Sequence, residues 1–229
     1  MSAGSGAIWR VGVDVGGTFT DLFGWNQTTN QSISTKVLTT KEDRTVGVIQ
    51  AIQQTGIDFS EISYLLHGTT TATNALIERD YPQVAFVTTD GFRDTIEIGR
   101  QHRQHLYDPY QSKPSPIIRR RNRFTVAERM SASGETRRPL DETAARKISA
   151  CIAERGYAAV GGGFINSYAN PKHENRMREI VLADNPNAHV VISAETRPVF
   201  REHARFTTTA IRAALMPVMT DYFESLEAA

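Results

Sequence analysis

Cysteine is nearly absent from this sequence. The single thiol, Cys151, cannot close an internal disulfide and excludes a multi-cysteine zinc or iron–sulfur site. It suits a reducing compartment, so the cytoplasm is the expected location. An excess of either charge is lacking as well. The 26 basic and 25 acidic residues leave +1, which is no footprint for wrapping a nucleic acid and no global attraction to an anionic membrane. Long apolar runs are missing too: none nears the roughly 18 residues of a membrane span, and Met1 to Arg10 holds no stretch of signal-peptide length. Neither an export signal nor a membrane span is therefore expected. With 40% hydrophobic and 22% charged residues over 229 positions, the chain can bury one large core or two small ones.

What is present reads as alternating strands and helices. Val11, Val13 and Val15 alternate with Gly12 and Asp14 over Trp9 to Val15; Gly16-Gly17 turns the chain and Thr18 to Trp25 returns, which predicts a β-hairpin. Ser32 to Leu38 predicts a third strand, and Val46, Ile49 and Ile52 recur at helical spacing until Thr55-Gly56 stops them. Ser63 to His67 reads as a short strand running into a threonine-rich turn that opens a helix over Gly68 to Arg79, and Val84 to Thr88 as another strand. From about 100 to 130, Pro109, Pro114, Pro116 and an arginine cluster predict a loop-rich excursion with a strand at Phe124 to Val126. A helix capped by Asp141 follows, then a second half from residue 158: a buried strand to Ile165, a helix over Pro171 to Leu182, and a strand over Val190 to Ile192. One or two helices, bent at Pro217, complete the chain from Arg205 to Ala228. Such alternation indicates an α/β layered fold.

The strongest chemical signal is Asp14-Val15-Gly16-Gly17-Thr18-Phe19-Thr20-Asp21. Adjacent glycines at a strand–strand turn let the backbone approach a ligand and adopt positive φ, so that successive N–H groups point at phosphate oxygens, with Thr18 and Thr20 adding hydroxyls. A carboxylate at Asp14 suits a water-mediated hold on Mg²⁺. A plain hairpin turn is the alternative reading of the glycine pair. The run His67-Gly68-Thr69-Thr70-Thr71-Ala72-Thr73-Asn74 places hydroxyls and helix-start N–H groups toward an anion, with simple capping as its alternative.

Together these two strings resemble the N-terminal region of the hydantoinase A / 5-oxoprolinase family, which includes N-methylhydantoinase and the large subunits of acetone and acetophenone carboxylases. Thr89-Asp90-Gly91-Phe92-Arg93-Asp94, Glu97-Ile98-Gly99-Arg100-Gln101, Leu106-Tyr107-Asp108 and Ser167-Tyr168-Ala169-Asn170-Pro171 resemble later family stretches in the same order. The resemblance covers about residues 8 to 225. It implies an α/β fold of the actin-like (ribonuclease H-like) ATPase kind, one half of which is a mixed sheet flanked by helices. Residues 1–7 are expected to be disordered, and about 200–229 to open the following hydantoinase A region.

The resemblance also implies ATP and Mg²⁺ as cofactors. Asp14 and His67 are then the catalytic candidates, Asp14 and Asp21 the metal carboxylates, and Gly16, Gly17, Thr18, Thr20, Gly68, Thr69, Thr70 and Thr71 the nucleotide-binding residues. Arg100 and Arg103 are candidate substrate contacts, because arginine offers a planar fork to oxyanions. The implied reaction is phosphorylation of a carbonyl or its enolate, which turns a poor leaving oxygen into a good one before a cyclic amide is hydrolysed or a ketone carboxylated. A companion hydantoinase B-type subunit is the implied partner, and neither nucleic acid nor membrane is expected.

No second Asp-x-Gly-Gly-Thr turn follows residue 21, so the chain is expected to be part of a longer subunit and inactive alone. A non-catalytic docking fragment and a sugar-kinase-like phosphotransferase are the rival readings. Three further expectations concern packing. Arginines 119 to 129 form a solvated or subunit-facing strip, Cys151 is a buried structural thiol, and Gly161-Gly162-Gly163 marks close backbone packing in a central strand.

Overall fold

A computed structural model describes residues 8–40, 43–101, 105, 107–111 and 113–228. The seven N-terminal residues lie outside that set. The chain divides into two compact units, one reaching Asp80 and including the residues from Val218 onward, the other Tyr81–Pro217. The second half thus begins at residue 81 rather than 158.

The first unit is built on strands β1 (Trp9–Val15), β2 (Phe19–Asn26), β3 (Ser32–Leu38) and β4 (Ile62–Thr69), with helices α1 (Arg44–Thr55) and α2 (Thr71–Glu78). The sheet order is β3-β2-β1-β4. β2 runs antiparallel to both β1 and β3, and β4 parallel to β1. Strand alternation divides the faces. Val11, Val13, Val15, Leu22 and Val37 turn inward and pack with Val48, Ala51 and Ile52 of α1. Asp14, Phe19, Asp21, Phe23 and Lys36 occupy the open face. Asp43 caps α1 by accepting from the Thr45 N–H, and Gly56 ends it at φ 73°.

The second unit holds β5 (Val84–Thr89), α3 (Thr95–Ile98), β6 (Arg123–Val126), a small hairpin of β7 (Arg129–Met130) and β8 (Thr136–Arg138), α4 (Glu142–Glu154), β9 (Ala159–Gly163), α5 (Lys172–Asp184), β10 (His189–Ile192) and α6 (Ser193–Thr196). Its main sheet, β10-β9-β5-β6, is parallel throughout. Apolar clusters cover both faces, which is why every residue of β5 is buried. Helix α7 (Glu202–Ala228) runs unbroken through Pro217, and the division between the two units falls at that residue.

Gly161 and Gly163 sit where aromatic rings touch the strand. A Cβ on Gly161 would stand 2.6 Å from the Phe86 ring, and one on Gly163 2.5 Å from Phe206 and 2.8 Å from Phe86. The close packing expected of this run is therefore present. Gly163→Ala is expected to destabilise the chain by about 3 kcal/mol through overpacking, measurable as a lower urea midpoint with unchanged slope.

Two expectations are corrected. Arg123 is not part of a solvated strip: it is 2% exposed, donates to the Ile118 carbonyl at 3.0 Å, and pairs with Glu97 at 3.0 Å and Asp94 at 3.4 Å. β6 draws it inward as a sheet strand, and a buried guanidinium requires such partners. Cys151 is only partly buried.

Candidate active site

The two motifs meet at the carboxyl-terminal ends of the adjacent parallel strands β1 and β4, the usual place for a ligand crevice in α/β sheets. Gly16 N–H donates to the Phe19 carbonyl at 2.9 Å and closes the hairpin, leaving Gly17 and Thr18 at its exposed tip. Among the described residues, the Gly17 and Thr18 N–H groups have no protein acceptor. Neither glycine takes positive φ, contrary to expectation; close approach of neighbouring atoms is what distinguishes them. A Cβ on Gly16 would stand 3.0 Å from the Phe19 carbonyl oxygen, and one on Gly17 2.9 Å from Asn74 Nδ2.

That approach joins the hairpin to α2. The Thr70 N–H donates to the Val15 carbonyl at 3.1 Å, and the Asn74 side chain donates to the Thr70 hydroxyl at 3.2 Å. Thr69 ends β4 rather than lying in the turn. Its hydroxyl accepts from the Thr71 N–H at 3.1 Å and shares a 2.7 Å hydrogen bond with the Thr71 hydroxyl. These two hydroxyls thus satisfy each other. Among the described residues, the N–H groups of Gly17, Thr18, Ala72 and Thr73 are open to a ligand, a concentration of donors suited to an anion.

Thr20 lies on the inner face, fully buried, with its hydroxyl bonded to that of Thr39 at 3.0 Å. It supports the sheet beneath α1, where its Oγ1 would be 2.9 Å from a Cβ on Gly47. The strand register explains this: Thr20 pairs with Val15, whereas Asp21 pairs with Asp14 on the opposite face.

Asp14 and Asp21 face each other across the hairpin. Gly68 is the partner of Asp14 on β4, and its missing side chain leaves room, since a Cβ there would lie 3.3 Å from Asp14 Oδ1. Lys36, which no motif marked, extends the row and bonds Asp21 at 3.0 Å. Only the register of three strands reveals it. Two opposed carboxylates with one ammonium leave a local negative charge, a donor set that suits Mg²⁺ bound through one or two carboxylates together with phosphate oxygens. Among the described residues no group of three or more His, Cys, Asp or Glu gathers to hold a metal alone. An open cleft of about 990 Å³ runs along this row over Gly12, Phe23 and Leu66.

His67 turns the other way. Its register partner is the inward-facing Val13, and its Nε2 lies 2.5 Å from the Tyr222 hydroxyl of α7. Burial pushes the imidazole below its usual range, with Asp14 acting in the opposite direction, and burial pushes the Tyr222 phenol up. Tyr222 carries no sequence signal, because it lies 155 residues from His67.

Arg100 is exposed just after α3 in the second unit. Arg103 lies outside the described residues. Residues between Asp90 and Gly99 line a separate pocket of about 600 Å³ without Arg100, and there Arg120 forms a bidentate pair with Asp94.

Known proteins share the sequence and the fold of this chain. An uncharacterized protein of Methanocaldococcus jannaschii is 41% identical over 95% of this chain and 32% of its own length. The caprolactamase alpha subunit of Pseudomonas jessenii is 34% identical over 96% of this chain and 33% of its own length. The crystal structure of ATP-dependent caprolactamase from that organism superposes with a TM-score of 0.84 at 32% identity, over 96% of this chain and 33% of the other. The expected α/β fold, a mixed sheet flanked by helices, is thereby shown. The chain spans about a third of the length of these relatives. The family described as the hydantoinase/oxoprolinase N-terminal region matches residues 10–184, and the chain belongs to that family.

Proposed function

We propose that the β1–β2 turn and the start of α2 bind the phosphates of ATP, within a subunit that uses ATP to phosphorylate a carbonyl or its enolate. The carrying observation is the contact between the two motifs, Gly17 against Asn74 and Thr70 N–H on the Val15 carbonyl. The Gly17, Thr18 and α2 N–H groups face phosphate oxygens, Thr18 and Thr70 add exposed hydroxyls, and Gly16 holds the turn closed. Asp14, assisted by Asp21, would hold Mg²⁺, which when bound neutralises charge on the transferring group.

The reading favours a cyclic amide as substrate, because the caprolactamase match is ATP-dependent and that enzyme's name denotes a lactam. An amide oxygen leaves poorly and a phosphate leaves well, so phosphorylation supplies the driving force. Ketone carboxylation is the same activation with a different acceptor. A companion subunit and a cytoplasmic location belong to the same proposal, supported by the alpha-subunit name of the relative and the lone cysteine. No helix among the described residues is long and apolar enough to cross a membrane.

Calorimetric titration of this chain with Mg·ATP and Mg·pyrophosphate tests the reading. Saturable, magnesium-dependent binding is expected. Gly17→Val, which fills the approach to Asn74, is expected to weaken it by about tenfold or more, some 1.4 kcal/mol, with the melting temperature little changed. Absence of binding by the wild-type chain and by the full-length subunit would overturn the phosphate assignment and favour a docking role.

A further inference from the structure

We infer that Tyr222 is a positioning residue for the phosphate-facing loop: from α7 it holds the end of β4, and through it the first turn of α2. The inference rests on the phosphate reading above and extends it to a residue outside both motifs.

Three observations on the inner face carry it. Tyr222 is 7% exposed, and its ring packs against that of His67 with centroids 5.6 Å apart. Its hydroxyl bonds His67 Nε2 and also lies within reach of the Thr69 hydroxyl. Thr69 in turn receives the Thr71 N–H, the first of α2. A single phenol therefore touches both inward-facing residues at the end of β4, and one of these caps the helix whose open N–H groups would meet phosphate. Leu226, one helical turn beyond Tyr222, packs against the Val11-Val13-Val15 cluster and fixes this end of α7 on the sheet.

The direction of donation across the Tyr222–His67 contact sets the imidazole tautomer, and we assign the phenol as the donor. His67 Nδ1 is buried without a partner among the described residues. With the phenol donating to Nε2, the proton of the neutral ring resides on Nδ1, the less common tautomer in water. Removing the hydroxyl releases that constraint. His67 then acts on the site through the backbone of Gly68 and Thr69, not by touching the phosphates.

Tyr222→Phe keeps the ring and deletes only the contact. In the chain labelled with ¹⁵N at histidine, wild-type His67 is expected to show the Nδ1–H pattern, and the variant a shift toward the Nε2–H form. Binding of Mg·pyrophosphate is expected to weaken about tenfold, with a urea midpoint close to wild type. His67→Gln, able to accept from the phenol through its side-chain carbonyl, is expected to recover more affinity than His67→Ala. An unchanged His67 spectrum in Tyr222→Phe would overturn the inference, whatever the chain binds. A changed spectrum with unchanged affinity would overturn it too, leaving the phosphate reading standing. If the wild-type chain and the full-length subunit bind no pyrophosphate, the phosphate reading falls, and the positioning role falls with it.

Discussion

Asp14→Ala is expected to lower ATP-dependent turnover of the full-length subunit by about 10³-fold, the scale of losing a preorganised electrostatic contact to the transferring group. The same change is expected to leave stability unchanged or slightly higher. Asp14 is exposed and stands directly opposite Asp21, and like charges across a strand pair cost a few tenths of a kcal/mol to about 1 kcal/mol. Lys36 relieves that cost only at Asp21, which it meets at 3.0 Å. The sheet thus carries an unfavourable pair that a bound cation would relieve. Thermal melts with and without Mg²⁺ and pyrophosphate should show stabilisation of the wild type and little in Asp14→Ala. A variant that retains turnover would remove Asp14 from the mechanism, and with it the metal assignment to this face.

Arg205→Met is expected to destabilise the chain by about 3–5 kcal/mol, because it removes a buried guanidinium that answers two carbonyls and the Ser193 hydroxyl bound to Glu174, and that pairs with Glu202 at 3.8 Å. Arg205 and Glu174 are both almost wholly inaccessible to solvent. Glu174 accepts from the Phe164 N–H at 2.8 Å, the Ser193 hydroxyl at 2.6 Å and the Ala194 N–H at 2.9 Å. Arg205 donates to that same Ser193 oxygen at 3.1 Å and to the Phe164 and Val199 carbonyls at 2.7 and 2.8 Å. The network ties the ends of β9 and β10 to α7, so truncating the arginine leaves two carbonyls and the Ser193 oxygen without their donor.

The pH dependence of this effect has a definite sign. Burial pushes the Glu174 carboxyl above the ordinary carboxylate range, against the donors that favour its ionised form. Loss of Arg205 raises it further. The folded variant then holds a proton that the unfolded chain releases, so stability falls as pH rises through the raised value. The deficit relative to wild type should accordingly shrink in acid. Pairing Arg205→Met with Glu174→Gln should recover part of the loss, measured as a coupling energy in a double-mutant cycle.

Much of the first unit was legible because its signals are local. The strand boundaries Trp9–Val15 and Ser32–Leu38 coincide with the alternation that predicts them, since period-2 burial is written into neighbouring residues. The α1 stop at Gly56 and the α4 cap at Asp141 follow from single-residue preferences of the backbone. The excursion from 100 to 130 was harder. Its prolines mark loops correctly, but Arg123 looked solvated because its partners Asp94 and Glu97 are distant in sequence.

The site divides along the same line. Asp14, the glycine turn and the threonine run are chemically conspicuous as strings, and residue order is enough to mark a tight turn after β1 and a threonine-rich helix start after β4. Tertiary structure alone decided which of their atoms are available. Side chains in a strand alternate between faces, and this places Asp14, Asp21 and Lys36 in one row while turning Thr20 and His67 to the other. Residue type sets what a side chain can do, whereas register and packing, which depend on partners up to 155 residues away, set what it meets.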